Sequence, residues 1–479
     1  MKNLNMKNSN FTISVITGIM LILTLPACKK YFEVGENPNQ IADPPINTLL
    51  TTVTSKAAFS TYQVGDITSY FVQYLASPSV GGSTDTYQPT DYSTTWNQIY
   101  FTMADLNEMK TRAREQGATE HVGVANLLIA YEMDLIINMW GNGPYTEAFN
   151  QEILTPRYDD QETFYNSALT LVNEGLAELS RTDASVGLGS SDDLIYGGDT
   201  EKWLRFGNLI KARLLNKVSK KSIYNPSEVL AAVDLSFKSN ADNAGMSNFA
   251  GNNPWADVAI SNTNLVLDGW LSEQLVNALN GTTFGVFDPR IEKITDTTIA
   301  GIYKGTPNGA GNVGPASNTV RDESYVSLNS PLSGRTSPVY LATYAELKFI
   351  EAEAAFRSGN TARAYTAYRE GIVANMNQLG VATAAQQTYL ASSVVASDAA
   401  ALTLNHIFRQ KYITTYLMPE AWVDARRFDY QYVDFTLPVN ADLPTFIRRV
   451  EYVDSEKSKN GNNVPQVTSL AEHLWWDTP

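Results

Sequence analysis

The chain has 479 residues, with 50 acidic against 35 basic for a net charge of −15, and a single cysteine, Cys28. That charge balance excludes a nucleic-acid or anionic-lipid surface as the working partner. One cysteine excludes a disulfide framework, so stability must come from packing, in a chain long enough for one large core or two or three conventional domains.

Residues 1–27 read as a lipoprotein signal peptide. Lys2 and Lys7 form a basic start, Phe11 to Leu25 an apolar stretch, and Leu25-Pro26-Ala27-Cys28 the cleavage site. The apolar stretch has the length of a secretory signal, short of the roughly 20 residues a spanning helix needs. Leu-x-Ala-Cys resembles a bacterial lipobox, which makes Cys28 the expected lipidation site; ordinary cleavage beside a spare cysteine is the alternative. No other stretch reads as membrane length. Residues 28–45 form a lipidated tether rich in Asn, Pro and Gly.

The remaining 46–479 reads as one mainly helical domain. Apolar residues recur at helical spacing over Thr51–Leu75, Trp96–Gln116, His121–Trp140, Gln161–Leu179, Glu201–Ser219, Val339–Arg357, Thr361–Leu379 and Asn405–Leu417. Asp159-Asp160 is placed to cap the helix at 161. The pair 339–379 turns at Gly359-Asn360 and carries a small-residue stripe, Ala364, Ala367, Gly371 and Ala374, on its second helix. That pattern resembles a tetratricopeptide repeat, with 121–140 and 161–179 as a looser copy; a generic helical hairpin is the alternative. Between the helices lie long polar loop insertions near 77–95, 240–264 and 296–338, a length associated with function or disorder.

Motifs for chemistry are sparse. His121, His406 and His473 lack metal-ligand spacing, and no metal site is expected. Gly309 to Gly314 (GAGNVG) fits a dinucleotide pattern, but it sits in a Gly/Asn/Pro loop without the flanking strand and helix. Asp159-Asp160 and Asp192-Asp193 are paired acids, and a glycosidase needs only two carboxylates about 5–9.5 Å apart, so a surface glycoside hydrolase stays as one alternative. Arg426-Arg427 beside Glu420 and Asp424 points to an internal ion network. With no catalytic constellation, the candidate ligand-binding residues are aromatics in polar loops that no core explains: Tyr87 and Tyr92 in GGSTDTYQPTDYS, Trp255 in GNNPWAD, and Tyr303 in GIYKGTPNG. Trp96 adjoins them, although its helical spacing with Tyr100 favours burial for both. Flat rings of this kind cover sugar faces, while amides and carboxylates read hydroxyls.

Taken in order, several landmarks resemble the SusD/RagB family of outer-membrane nutrient-binding lipoproteins, in its SusD-like branch. They are Asn37-Pro38-Asn39 after the cysteine, Trp140-Gly141-Asn142-Gly143-Pro144-Tyr145, Asp193 to Asp199, Asp288-Pro289-Arg290, Ala345 to Ala354, Arg449-Val450-Glu451-Tyr452 and Trp475-Trp476-Asp477. Val453 stands where the pattern has proline. The resemblance implies a helical fold with tetratricopeptide-like pairs and a loop-rich ligand face, no catalytic residues and no cofactor. It also implies outer-membrane anchoring that faces the cell exterior. The expected function is capture of an oligosaccharide, or a peptide, for a SusC-like TonB-dependent transporter; a helical-repeat docking scaffold is the other alternative.

Overall fold

The computed structural model describes residues 45–263, 269–313 and 321–479. The signal segment 1–27, Cys28 and the tether up to residue 44 lie outside the described residues. Fifteen α-helices and four short strands form among those described. The first part holds α1 (Ile46–Phe71), β1 (Leu75–Ala76), α2 (Ser93–Gln116), α3 (Thr119–Met139), α4 (Gln161–Leu179), α5 (Thr200–Lys217) and α6 (Pro226–Asp234). The middle adds β2 (Ala244–Met246), α7 (Pro254–Thr263), β3 (Trp270–Leu271), α8 (Glu273–Asn280) and α9 (Ile291–Ile294). The last part comprises β4 (Val339–Ala342), α10 (Tyr344–Arg357), α11 (Thr361–Gln378), α12 (Thr383–Leu390), α13 (Leu404–Thr414), α14 (Glu420–Arg427) and α15 (Asp454–Lys459). β1 pairs antiparallel with β3, and β2 with β4.

The mainly helical class is as the periodicity predicts. Every residue of α3 except Glu120 is buried, which is why this helix is apolar on all sides. By length and composition α3 would also pass for a membrane span, a correction to the expectation that only the leader comes near that length; here protein covers it. Against α4 it crosses through glycines: a Cβ on Gly123 would meet the Gly175 carbonyl oxygen at 3.0 Å, and one on Gly175 the Gly123 oxygen at 3.0 Å. In the α10/α11 pair the stripe Ala364, Ala367, Gly371 and Ala374 is buried, and a Cβ on Gly371 would sit 2.8 Å from the Phe349 ring. Both repeat-like pairs therefore pack through small residues. Caps fix their starts: Asp160 accepts from the Thr163 amide at 2.9 Å and Asn360 from the Arg363 amide at 3.1 Å.

Three predicted boundaries are corrected. The helix expected over Thr51–Leu75 opens at Ile46 and ends at Phe71, and Leu75 belongs to β1, because its partner strand lies far along the chain. Val339–Ala342, expected as the opening of a helix, is strand β4, because its partner β2 supplies a distant edge that periodicity does not reveal. Residues 240–264, expected as loop, contain β2 and α7. Proline fits the first helical position and Asn253 caps behind it, accepting from the Trp255 amide at 2.8 Å.

Where α3, α5, α10, α13 and α14 meet, charges are buried in pairs. Arg427 donates to both oxygens of Glu353 at 2.7 Å and to Asp424 at 2.7 Å. Arg213 holds Glu346 by two bonds of 2.9 Å, Lys411 holds Asp424 at 2.7 Å, and Lys217 reaches Asp134. Burial pushes the Glu353 carboxyl up, but the guanidiniums of Arg427 and Arg357 outweigh it and hold it well below the usual range. The expected arginine network is therefore a set of buried ion pairs joining distant helices.

Candidate functional site

The loops near 77–95 and 296–338 fold against each other and against a third segment, 434–442, that sequence reasoning had not singled out. Asp85 fastens them. It is fully buried, and its carboxylate accepts from the amides of Ser77 at 3.2 Å and Gly309 at 2.5 Å and from the side-chain amide of Asn308. Burial pushes its pKa up to about 6 despite these bonds. Backbone bonds complete the seam: Gly81 N–H to the Gly309 carbonyl at 3.1 Å, Asn312 to Pro78 at 2.9 Å, Val439 to Asn308 at 2.8 Å and Asp442 to Thr86 at 2.8 Å. The loop is pinned to the N-terminus of α8 as well. The Glu273 amide donates to the Thr306 carbonyl at 2.9 Å and the Thr306 amide to that of Leu271 in β3 at 2.8 Å. A Cβ on Gly305 would lie 2.5 Å from the Glu273 backbone, so glycine is required there.

Beside this seam opens a cleft of about 300 Å³. Its walls are Gln73 after α1, Glu273, Gln274 and Asn277 on α8, and Asp434, Thr436 and Leu437 on the third segment. Ser272 caps α8, accepting from the Gln274 amide at 3.1 Å, and the four-residue spacing puts Glu273 and Asn277 on one helical face. Gln73 and Asp434 both hold left-handed backbones, φ 56° and 52°. Non-glycine residues in that region are uncommon and collect at binding sites. Gln73 is 2 % exposed; it donates to the Thr436 carbonyl at 2.5 Å, and its acceptor oxygen has no donor among the described residues. Around the loops stand exposed apolar side chains, Val80, Val313, Leu437 and Val439.

The expected aromatics are distributed unevenly. Tyr87 is fully buried with its ring edge-on to Phe71 at 6.2 Å, Trp96 packs edge-on to Trp140 at 5.0 Å, and Trp255 packs edge-on to Tyr62 at 4.9 Å. The reasoning that no core explains Tyr87 and Trp255 is corrected, because their loops fold back onto the helices and give the rings a core. None of the three presents a face to solute in this structure. Tyr92 is half-buried with its hydroxyl 3.2 Å from that of Thr84, and Tyr303 is half-buried beside the exposed Phe287 at 6.2 Å. The loops of Tyr87 and Tyr303 meet at the Asp85 seam, whereas Trp255 sits where Asn253 binds the Arg335 and Leu332 carbonyls. Gln73, Glu273, Asn277 and Asp434 were missed; no motif marks them, and the aromatic-rich stretch 428–435 was the one signal nearby.

The acid pairs are engaged structurally. Asp159 accepts from the amides of Tyr145 and Thr146 at 2.8 and 2.9 Å. Asp193 accepts from the Ile195 and Gly198 amides at 3.0 Å each and from the Trp203 indole at 2.8 Å. His121 is buried, with its ring nitrogen 2.8 Å from Asn47. Gly309 to Val313 run through turn and coil at the seam, and Gly314 lies outside the described residues.

A SusD-like family model, described as "Starch-binding associating with outer membrane", matches residues 38–452. No curated protein matches the chain. Among solved structures, a SusD/RagB family protein from Bacteroides thetaiotaomicron is 22 % identical with a TM-score of 0.75, over 91 % of this chain and 99 % of that one. A chitin-binding SusD homolog from Flavobacterium johnsoniae is 23 % identical with a TM-score of 0.76, over 90 % and 97 %. A SusD homolog from Bacteroides fragilis is 20 % identical with a TM-score of 0.74, over 91 % and 100 %.

Proposed function

Since the chain belongs to the SusD-like family of starch-binding proteins that associate with the outer membrane, we propose that it captures an oligosaccharide on its loop face and passes it unaltered to a SusC-like TonB-dependent transporter. The observation that carries this reading is the polar cleft of about 300 Å³ beside three loops fastened to a helical frame. Amides and carboxylates on its walls suit hydroxyl recognition, and concave sites with a few placed polar groups are the usual form of ligand sites. The exposed Val80, Val313, Leu437 and Val439 suit a protein partner closing over the loaded cleft. Lipid on Cys28 would moor the protein to the outer leaflet, facing the exterior; two or three acyl chains make such an anchor lasting.

One observation speaks for hydrolysis: the cleft holds two acids, Glu273 and Asp434. Both are exposed to solvent, however, and a general acid needs the desolvation that keeps a carboxyl protonated near neutral pH. Binding is the reading the site supports best. A glycan-array and peptide-pool screen on the purified protein tests it, with mass analysis of each bound oligosaccharide after prolonged incubation. Retention of intact glycan is expected; a shortened product, or selective capture of peptides, refutes it. Cys28→Ala is expected to release the protein from the membrane fraction.

A further inference from the structure

We propose that the ligand of this cleft carries protonated amines, as an oligosaccharide with free amino groups does. This deepens the carbohydrate reading of the loop face and rests on it. The walls offer acceptors and negative charge without a counterweight. Among the described residues, Glu273 and Asp434 are exposed carboxylates with no ion-pair partner, and no lysine or arginine lines the cleft. Gln73, itself buried, spends its amide N–H on the Thr436 carbonyl and is left with an acceptor oxygen that no described donor meets.

A neutral sugar can satisfy Gln73 through a hydroxyl. On binding, though, it strips water from two carboxylates and returns no charge, which is unfavourable. An acidic sugar adds repulsion to that cost. An ammonium group supplies both the missing donors and the missing charge, and a chain of net charge −15 draws such a ligand from a distance. Burial and the bond to the Thr436 carbonyl fix the Gln73 acceptor on the wall before the ligand arrives.

Calorimetric titration of the full-length protein in detergent tests the proposal with a glucosamine tetramer, its fully N-acetylated counterpart, a glucose tetramer and a lysine tetrapeptide. The glucosamine tetramer is expected to bind tightest, by about fivefold for each exposed carboxylate it meets. That advantage shrinks as salt rises. Glu273→Gln with Asp434→Asn removes the advantage, so that the glucosamine tetramer binds no tighter than its acetylated counterpart. Asparagine accepts the left-handed backbone at 434, so the fold survives; Glu273→Gln alone gives the same comparison if the double variant does not fold. Equal or tighter binding of the neutral sugars overturns the amine assignment while leaving the carbohydrate reading intact. An advantage that persists in the double variant overturns the assignment to this cleft. Preference for the lysine peptide overturns both, and failure to bind any sugar overturns the reading beneath.

Discussion

Replacing Arg427 with methionine keeps the bulk of the side chain and deletes its charge. Five hydrogen bonds go with it: two to Glu353, one to Asp424, one to the Asn216 carbonyl and one to the Ser219 hydroxyl. Glu353 keeps Arg357 at 2.9 Å and Asn216 at 2.8 Å, and Asp424 keeps Lys411 at 2.7 Å. Negative charge nonetheless remains buried with too little compensation, which typically costs about 3–5 kcal/mol. The folded unit Ile46–Pro479 has about 430 residues and an unfolding entropy of roughly 0.9 kcal/mol/K, so the thermal midpoint falls by about 3–5 °C. Urea unfolding followed by far-ultraviolet circular dichroism measures the difference directly. Because Glu353 is held below its ordinary value of 4.5, its share of stability is present above about that pH and is lost as the pH falls. The deficit of the variant therefore shrinks in acid. Adding Glu353→Met should restore part of the loss, since the two residues share one interaction. The exposed Arg181, paired with Glu178 and Asp183, is the control, and its methionine variant should leave the midpoint where it was. An Arg427→Met protein within about 1 kcal/mol of wild type would refute the idea that this pair joins the helices.

Asp85 gives a pH-dependent prediction. Its folded pKa of about 6 lies above its ordinary 3.8, so its stabilising share is full below about pH 4 and is lost as the pH rises through about 6. Hydrogen exchange at Gly81, Gly309 and Asn312, corrected for intrinsic rate, should show looser loops at pH 8 than at pH 5, and Asp85→Asn should abolish the difference. Tyr87→Ala should cost about 3–5 kcal/mol because it empties a buried aromatic site. Tyr87→Phe should leave the thermal midpoint unchanged or higher, since the hydroxyl has no partner among the described residues. Tyr92→Ala should disturb the midpoint less than Tyr87→Ala, and ligand titration of the same variants shows whether the half-buried ring also meets a solute.

What was legible in the sequence is what is local along the chain. α4 begins and ends where the periodicity predicts, at Gln161 and Leu179, because its cap Asp160 and its apolar face are written in adjacent residues. The small-residue stripe on α11 revealed a close crossing for the same reason. What escaped depends on partners far away. β4 looks helical until β2 is beside it, and Asp85 meets Asn308 and Gly309 across 223 and 224 positions. Polar neighbours made Tyr87 and Trp255 look exposed, whereas folding of the loops onto the frame decides their burial. The cleft acids had no signature because nothing in the spacing of Gln73, Glu273 and Asp434 says that they converge.

The Asp85 fastening is undemanding about sequence. Two of its three donors are main-chain amides, at Ser77 and Gly309; the tight fit at 309 demands glycine, but any residue except proline supplies the amide at 77. Side chains from 78 to 84 can therefore be rewritten without loosening the knot, provided Asp85, Asn308 and the close-fitting glycines stay. A scaffold built this way could acquire a taste for new solutes by changing its loops alone, with the helical frame left untouched.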